Sequence, residues 1–209
     1  MSRLFLALFL VLIFPQLSSA QETGQKWSYP YGEGRASLVQ VEGIIAVKMI
    51  DGLEDELASL RAELRSIRGV GKVSEKNLQE YPGLWYLPLE KRVDARMQQQ
   101  ILAQLASATV VEFAGPVLGY QEAVMIPRPE VIVTFDGSAD DEEIRNVIRQ
   151  SGLRFLKEFP AIDPTYMLGF EGPTSIGFEI ADALTELEEV WVAEPNFIHD
   201  LPEMATPND

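Results

Sequence analysis

The residues able to do chemistry are few and scattered. The single histidine, His199, stands near the C-terminal end, and nothing in the sequence sets a nucleophile beside it. Thr174 and Ser175 lie in Gly172-Pro-Thr-Ser-Ile-Gly177, just ahead of an apolar-periodic stretch, where a helix calls for a hydroxyl cap. A Ser-His-acid triad would further need an orienting acid, an oxyanion hole and a substrate cleft. Two acidic clusters, Asp140-Asp-Glu-Glu143 and Glu186, Glu188 and Glu189, stand at expected helix ends. The first complements a helix N-terminus, so no metal is expected there. There is no cysteine, which removes disulfides, thiolate metal sites and a lipoprotein anchor. No phosphate-binding glycine loop or dinucleotide fingerprint occurs, and Gly69-Val-Gly71 reads as a turn. The expectation is a binding protein with no catalytic residues, no metal and no cofactor.

Targeting and charge narrow the partners. Arg3, the apolar run 4–14 and the small residues Ser18-Ser19-Ala20 have the layout of a secretory signal peptide over 1–20, cleaved near Ala20. The run is shorter than the roughly 20 residues a spanning helix needs. The mature chain is therefore expected to be secreted or periplasmic, with no membrane attachment. Its 32 acidic and 17 basic residues give −15, and loss of Arg3 gives −16. Nucleic acid and anionic lipid would be repelled by such a charge.

Behind these residues the chain has a repeating plan. Residues 21–38 mix Gly, Pro, Ser and polar residues without periodicity and are expected to be a flexible lead-in. Residues 130–135 are β-rich and end at Asp136-Gly137; Ser138 with Asp141 suggests a capping box, and Ile144, Val147 and Ile148 share a helical face before Gly152. Strands over 153–162 and 165–170, a helix marked by Ile176, Ile180, Ala183, Leu184 and Leu187, and a strand over 190–193 complete the order β-α-β-β-α-β, the ferredoxin-like unit. An earlier stretch repeats it. A strand over 44–50 ends at Asp51-Gly52; Leu53, Leu57, Leu60, Leu64 and Ile67 mark a helix; strands follow over 70–78 and 84–89. Met97, Ile101, Leu102 and Leu105 mark the second helix and residues 109–113 the last strand. Val111-Glu-Phe-Ala-Gly-Pro116 matches Val190-Trp-Val-Ala-Glu-Pro195. The aromatic residues Trp85, Tyr86, Phe155, Phe159, Phe170 and Trp191 fall in these strands and read as sheet packing. The expected class is α+β, two tandem ferredoxin-like sandwiches. The first copy covers 39–120 and the second 130–198. Residues 121–129 link them, stiffened by Pro127-Arg-Pro129, and 199–209 form an extended tail.

The second copy resembles a known family. Val131-Ile-Val-Thr-Phe135, Leu156-Lys-Glu-Phe-Pro-Ala161, Ala181-Asp-Ala-Leu184 and above all Val190-Trp-Val-Ala-Glu-Pro-Asn-Phe197 look like the propeptide domain of secreted subtilisin-like serine proteases. The closing Pro207-Asn208-Asp209 is similar to the stretch that opens the mature protease in that family. Gly-Pro-Thr-Ser only faintly echoes the catalytic serine motif of those proteases.

The resemblance implies a partner, a subtilisin-like serine protease, and a way to bind it as inhibitor or folding chaperone. The propeptide sheet lies on two surface helices of the protease, and its C-terminal extension enters the substrate cleft as a product-like strand, a form of β-strand addition. The cleft segment would run from Phe197 to about Thr206, with Phe197, Ile198, His199, Asp200, Leu201 and Pro202 as its inhibitory residues. Ala193, Glu194, Pro195 and Asn196 would be the docking signature, with Glu194 near helix N-termini of the protease. Two alternatives stand beside it: a secreted ferredoxin-like module for other protein or ligand partners, and a truncated precursor of such a protease.

Overall fold

The computed structural model describes residues 27–31, 34–79, 81–120, 123–160 and 164–200. The signal peptide read over 1–20 and the tail residues 201–209, Leu201 and Pro202 among them, lie outside the described residues. The chain is mixed α and β. Its described residues form β1 (Trp27–Tyr31), β2 (Gly34–Met49), α1 (Glu56–Leu64), β3 (Leu84–Pro88), α2 (Ala95–Ala106) and β4 (Val111–Tyr120). A second half follows: β5 (Ala123–Phe135), α3 (Asp141–Ser151), β6 (Arg154–Glu158), β7 (Thr165–Gly169), α4 (Ile176–Thr185) and β8 (Val190–Asp200). All strand pairs are antiparallel, and the strands join into one curled eight-stranded sheet.

Local chemistry accounts for the helices. Leu57, Leu60 and Leu64 turn one face of α1 to the core, and Asp55 caps it by accepting from the Ala58 amide at 2.8 Å. The capping box of α3 lies two residues later than the sequence suggested: Asp140 accepts from the Glu142 and Glu143 amides, and Glu143 reaches back to the Asp140 amide at 3.0 Å. Ser138 turns instead to Asp136. Gly152 ends α3 at φ +69°, which costs a glycine nothing. Ser175 holds the cap position of α4 without a side-chain bond, so the capping role expected of it is not met.

The two halves pair their strands alike. β2 lies between β4 and β3; β5 lies between β8 and β7, with β6 beyond. Ile45 opposes Pro116 and Val47 opposes Ala114, just as Val131 opposes Pro195 and Val133 opposes Ala193. Each last strand then carries a bulge at the same place, with Glu112 unpaired in one half and Trp191 in the other. Beyond it the Ile50 amide donates to Val110 O at 3.1 Å, and the Asp136 amide to Glu189 O at 2.9 Å.

Three expectations are corrected. The lead-in over 21–38 holds a strand from Trp27 on: Trp27 and Tyr29 are buried, and the Trp27 and Phe178 rings lie 4.9 Å apart. Arg35 then ties β2 to α4 through Asp182 at 2.8 Å. Burial of two aromatic rings outweighs the loop-like composition. Residues 70–78 make only the isolated bridges Val70 with Leu89 and Leu78 with Trp85, around a 3-10 turn, Glu75–Asn77. There the Asn77 side chain accepts from the Ser74 amide, and such side-chain bonds compete with a ladder. The linker read over 121–129 is strand from Ala123 on: β4 and β5 form a hairpin at Leu118–Met125, and β8 pairs with β5 as far as Val124.

These extensions roll the sheet on itself. Helices α1 and α2 cover one core, built on Ile45, Val47, Met49, Leu60, Ile101 and Leu105. Another, around Val131, Val133, Phe135, Ile144, Ile180 and Leu184, lies beneath α3 and α4. On the opposite face of the first half, Ala46, Leu84, Phe113 and Val117 pack against Ile126 and Ile198, from the arms of β5 and β8. A charged chain crosses the same junction. Lys48 meets Asp51 at 2.9 Å and Glu112 at 3.3 Å; Arg128 meets Glu130 at 2.8 Å, and Asn196 donates to Glu130 at 2.6 Å. Burial would lower the Lys48 pKa, but its hydrogen bonds to Asp51 and Glu112 prevail and raise it.

Candidate functional site

The last strand, β8, carries most of the residues singled out in the sequence, and its pleat sorts them into three environments. Ala193 and Pro195 point toward the helices. Ala193 is fully buried, and Pro195 packs near Gly177 of α4. The Ala193 amide donates to Thr185 Oγ1 at 3.0 Å, which ties the strand to the end of α4. Both residues are structural, and neither is open to a partner. Asn196 is half-buried and engaged with Glu130. Of the four-residue signature, Glu194 faces away from the helices and has no bonding partner among the described residues.

The inhibitory segment is corrected more sharply. Phe197, Ile198, His199 and Asp200 are part of β8, opposite Pro127, Ile126, Met125 and Val124. Ile198 is buried in the junction core, and Phe197 packs on Tyr29 with ring centroids 5.3 Å apart and on Phe178 at 5.9 Å. His199 is exposed, its ring 6.2 Å from Phe197. These four residues are therefore part of this chain's own sheet, where a free extended segment was expected from His199 on.

What sequence reading missed is a face. Strand partners share a side, so Ile132, Thr134, Met167, Val192 and Glu194 all lie on the side of β5, β7 and β8 opposite α3 and α4. Ile132, Met167 and Val192 are half-exposed, and none joins a hydrophobic cluster. Trp191 stands at the rim on the bulge, 70 % exposed. Thr134 and Thr165 bond to each other across the face at 2.9 Å. Alternation along a strand separates two sides but does not say which one the helices cover.

Glu194 sits among these apolar neighbours, half-buried, with no hydrogen bond or ion pair among the described residues. Burial raises its pKa. Tyr29, in the cluster of Trp27, Phe178 and Phe197, is pushed up to about 12 by burial and then by the nearby Glu194 charge. A desolvated carboxylate without a donor costs the fold free energy. It becomes favourable once a donor or positive dipole is brought to it.

Among the described residues, no three acidic or histidine side chains converge to hold a metal ion, and no helix is long and apolar enough to cross a membrane. No protein-family model matches the chain, and no curated protein matches it.

Proposed function

We propose that the chain is a secreted, non-catalytic protein of two tandem ferredoxin-like units that binds a subtilisin-like serine protease through the open face of β5, β7 and β8, as inhibitor or folding chaperone. The observation that carries this reading is the half-exposed apolar face around an unpaired, desolvated Glu194. An apolar sheet face that lies on a pair of helices buries Ile132, Met167 and Val192, and a helix N-terminus supplies the donors that Glu194 lacks. The repeated strand pairing and the repeated bulge support the tandem ferredoxin-like arrangement. Ala193 and Pro195 serve this face by holding β8 against α4. In this reading the product-like strand is residues 201–209, starting at Leu201 and Pro202, and no longer includes Phe197 to Asp200.

A second reading draws on the same correction. With Phe197 to Asp200 built into the sheet, the face alone suffices for a secreted interaction module whose partner is some other protein. One comparison separates the two. The full chain is titrated into a subtilisin-like protease while peptide hydrolysis and complex formation are both followed, and the measurement is repeated with residues 201–209 deleted. The protease reading expects binding by both forms and inhibition by the full chain alone. Absence of binding to any such protease refutes it and leaves the module.

A further inference from the structure

We propose that the first half is closed to partners because the arms of β5 and β8 already occupy its outer sheet face, so that the chain presents one docking face and not two. The inference extends the functional reading above, which by itself would let each repeat dock a protease.

Register shows which positions correspond. Ala46 opposes Tyr86 in the first half, and Ile132 opposes Met167 in the second; Lys48 opposes Leu84 and Phe113, where Thr134 opposes Thr165 and Val192. At three corresponding positions the exposure differs, since Ala46, Lys48 and Phe113 are buried where Ile132, Thr134 and Val192 are half-buried; Leu84 and Thr165 are both buried, and Tyr86 and Met167 both half-buried. Ala46 and Leu84 are fully buried and Phe113 is 3 % exposed, all against Ile126 and Ile198. Ile132, Met167 and Val192 remain half-exposed. The side chains differ in the direction that seating demands. At the centre, Ala46 stands where the second half has Ile132, and the smaller residue leaves room for the arms. Gly115, opposite Ala46, stands where the second half has Glu194, opposite Ile132. A Cβ at Gly115 would lie 2.5 Å from Thr174 Oγ1 and 3.4 Å from Pro127 O. A side chain like that of Glu194 has no room there, first because of Thr174 ahead of α4 and then because of the Pro127 carbonyl of the β5 arm. The first face is therefore shaped for a permanent intramolecular occupant, and the second is shaped to project.

The chain has no cysteine, so single thiols report each face without background. Ala46→Cys and Ile132→Cys place them at corresponding positions. In the full chain, the Ile132→Cys thiol, partly open to solvent, should react with a maleimide without waiting on unfolding. The Ala46→Cys thiol should react on the order of 100-fold more slowly, because reaction waits on local opening of the arms. Hydrogen exchange on the unsubstituted chain gives the same reading if Ala46→Cys does not fold, with slow amides expected within 124–126 and 197–200. Equal labelling of the two thiols, or fast exchange in the arms, overturns the proposal, as does a complex holding two proteases per chain. The labelling contrast in a chain that binds no protease supports the closed face and sinks only the protease reading.

Discussion

Truncating Ile198 tests how firmly the arm of β8 is seated. The side chain is 4 % exposed and belongs to the cluster of Ala46, Leu84, Phe113, Val117 and Ile126. Replacement by alanine removes about three methylene equivalents at ~0.8 kcal/mol each, about 2.4 kcal/mol of transfer free energy. The void adds to this, because β2, β4 and β5 fix its walls, and a total of about 3 kcal/mol falls within the usual range for such truncations. His199 lies next in sequence but is exposed, so His199→Ala should change stability by no more than about 0.5 kcal/mol. Urea unfolding followed by tryptophan emission reads both, since Trp27 and Trp85 are buried in different cores. A loss below about 1 kcal/mol for Ile198→Ala, or equal effects of the two variants, would mean that β8 beyond Asn196 is not held as described.

Glu194→Gln should stabilise the chain at neutral pH and bring no gain in acid. Burial raises the Glu194 pKa, so its ionised form is the costly one; that cost is absent below the ordinary carboxylate range and grows as pH rises through the folded-state value. A thermal midpoint unchanged at pH 7, or a gain equally large at pH 3, contradicts the assignment. Arg128→Met should cost about 2–3 kcal/mol, because it leaves the buried Glu130 with Asn196 alone, and adding Glu130→Met should recover most of the loss in a double-mutant cycle.

Local signals were legible in the sequence wherever local physics decides. The helix faces of Leu57, Leu60 and Leu64 and of Met97, Ile101 and Leu105 formed as their spacing predicts, and the strand over 84–89 formed close to its expected position, while the strands read over 130–135 and 190–193 extend to 123–135 and 190–200. What stayed hidden depends on distant partners. Trp27 and Tyr29 read as loop because their burial comes from Phe178 and Phe197, more than a hundred residues on. The Pro127-Arg-Pro129 segment read as a stiff link, and proline cannot donate to a ladder. It is tolerated because the β5–β8 register shifts between Pro127 and Val131. Glu194 was named from resemblance, but its isolation on an open face follows from which side α3 and α4 cover, which no periodicity encodes. The same resemblance placed Phe197 and Ile198 in a partner's cleft, while their apolar character serves this chain's own core.

The end of the sheet at β6 has a consequence for how the molecule behaves when crowded. β6 has only five residues; Arg154, Lys157 and Glu158 are exposed, and its register slips between Phe155 and Lys157. Pro30, in β1 at the other end of the sheet path, has no amide hydrogen to offer a newcomer. Short, charged and kinked margins of this kind make poor templates for fibril growth. At these two ends of the sheet, a chain with many strands and no cysteine to cross-link them resists edge-to-edge pairing at concentrations where a smooth-edged strand would recruit neighbours.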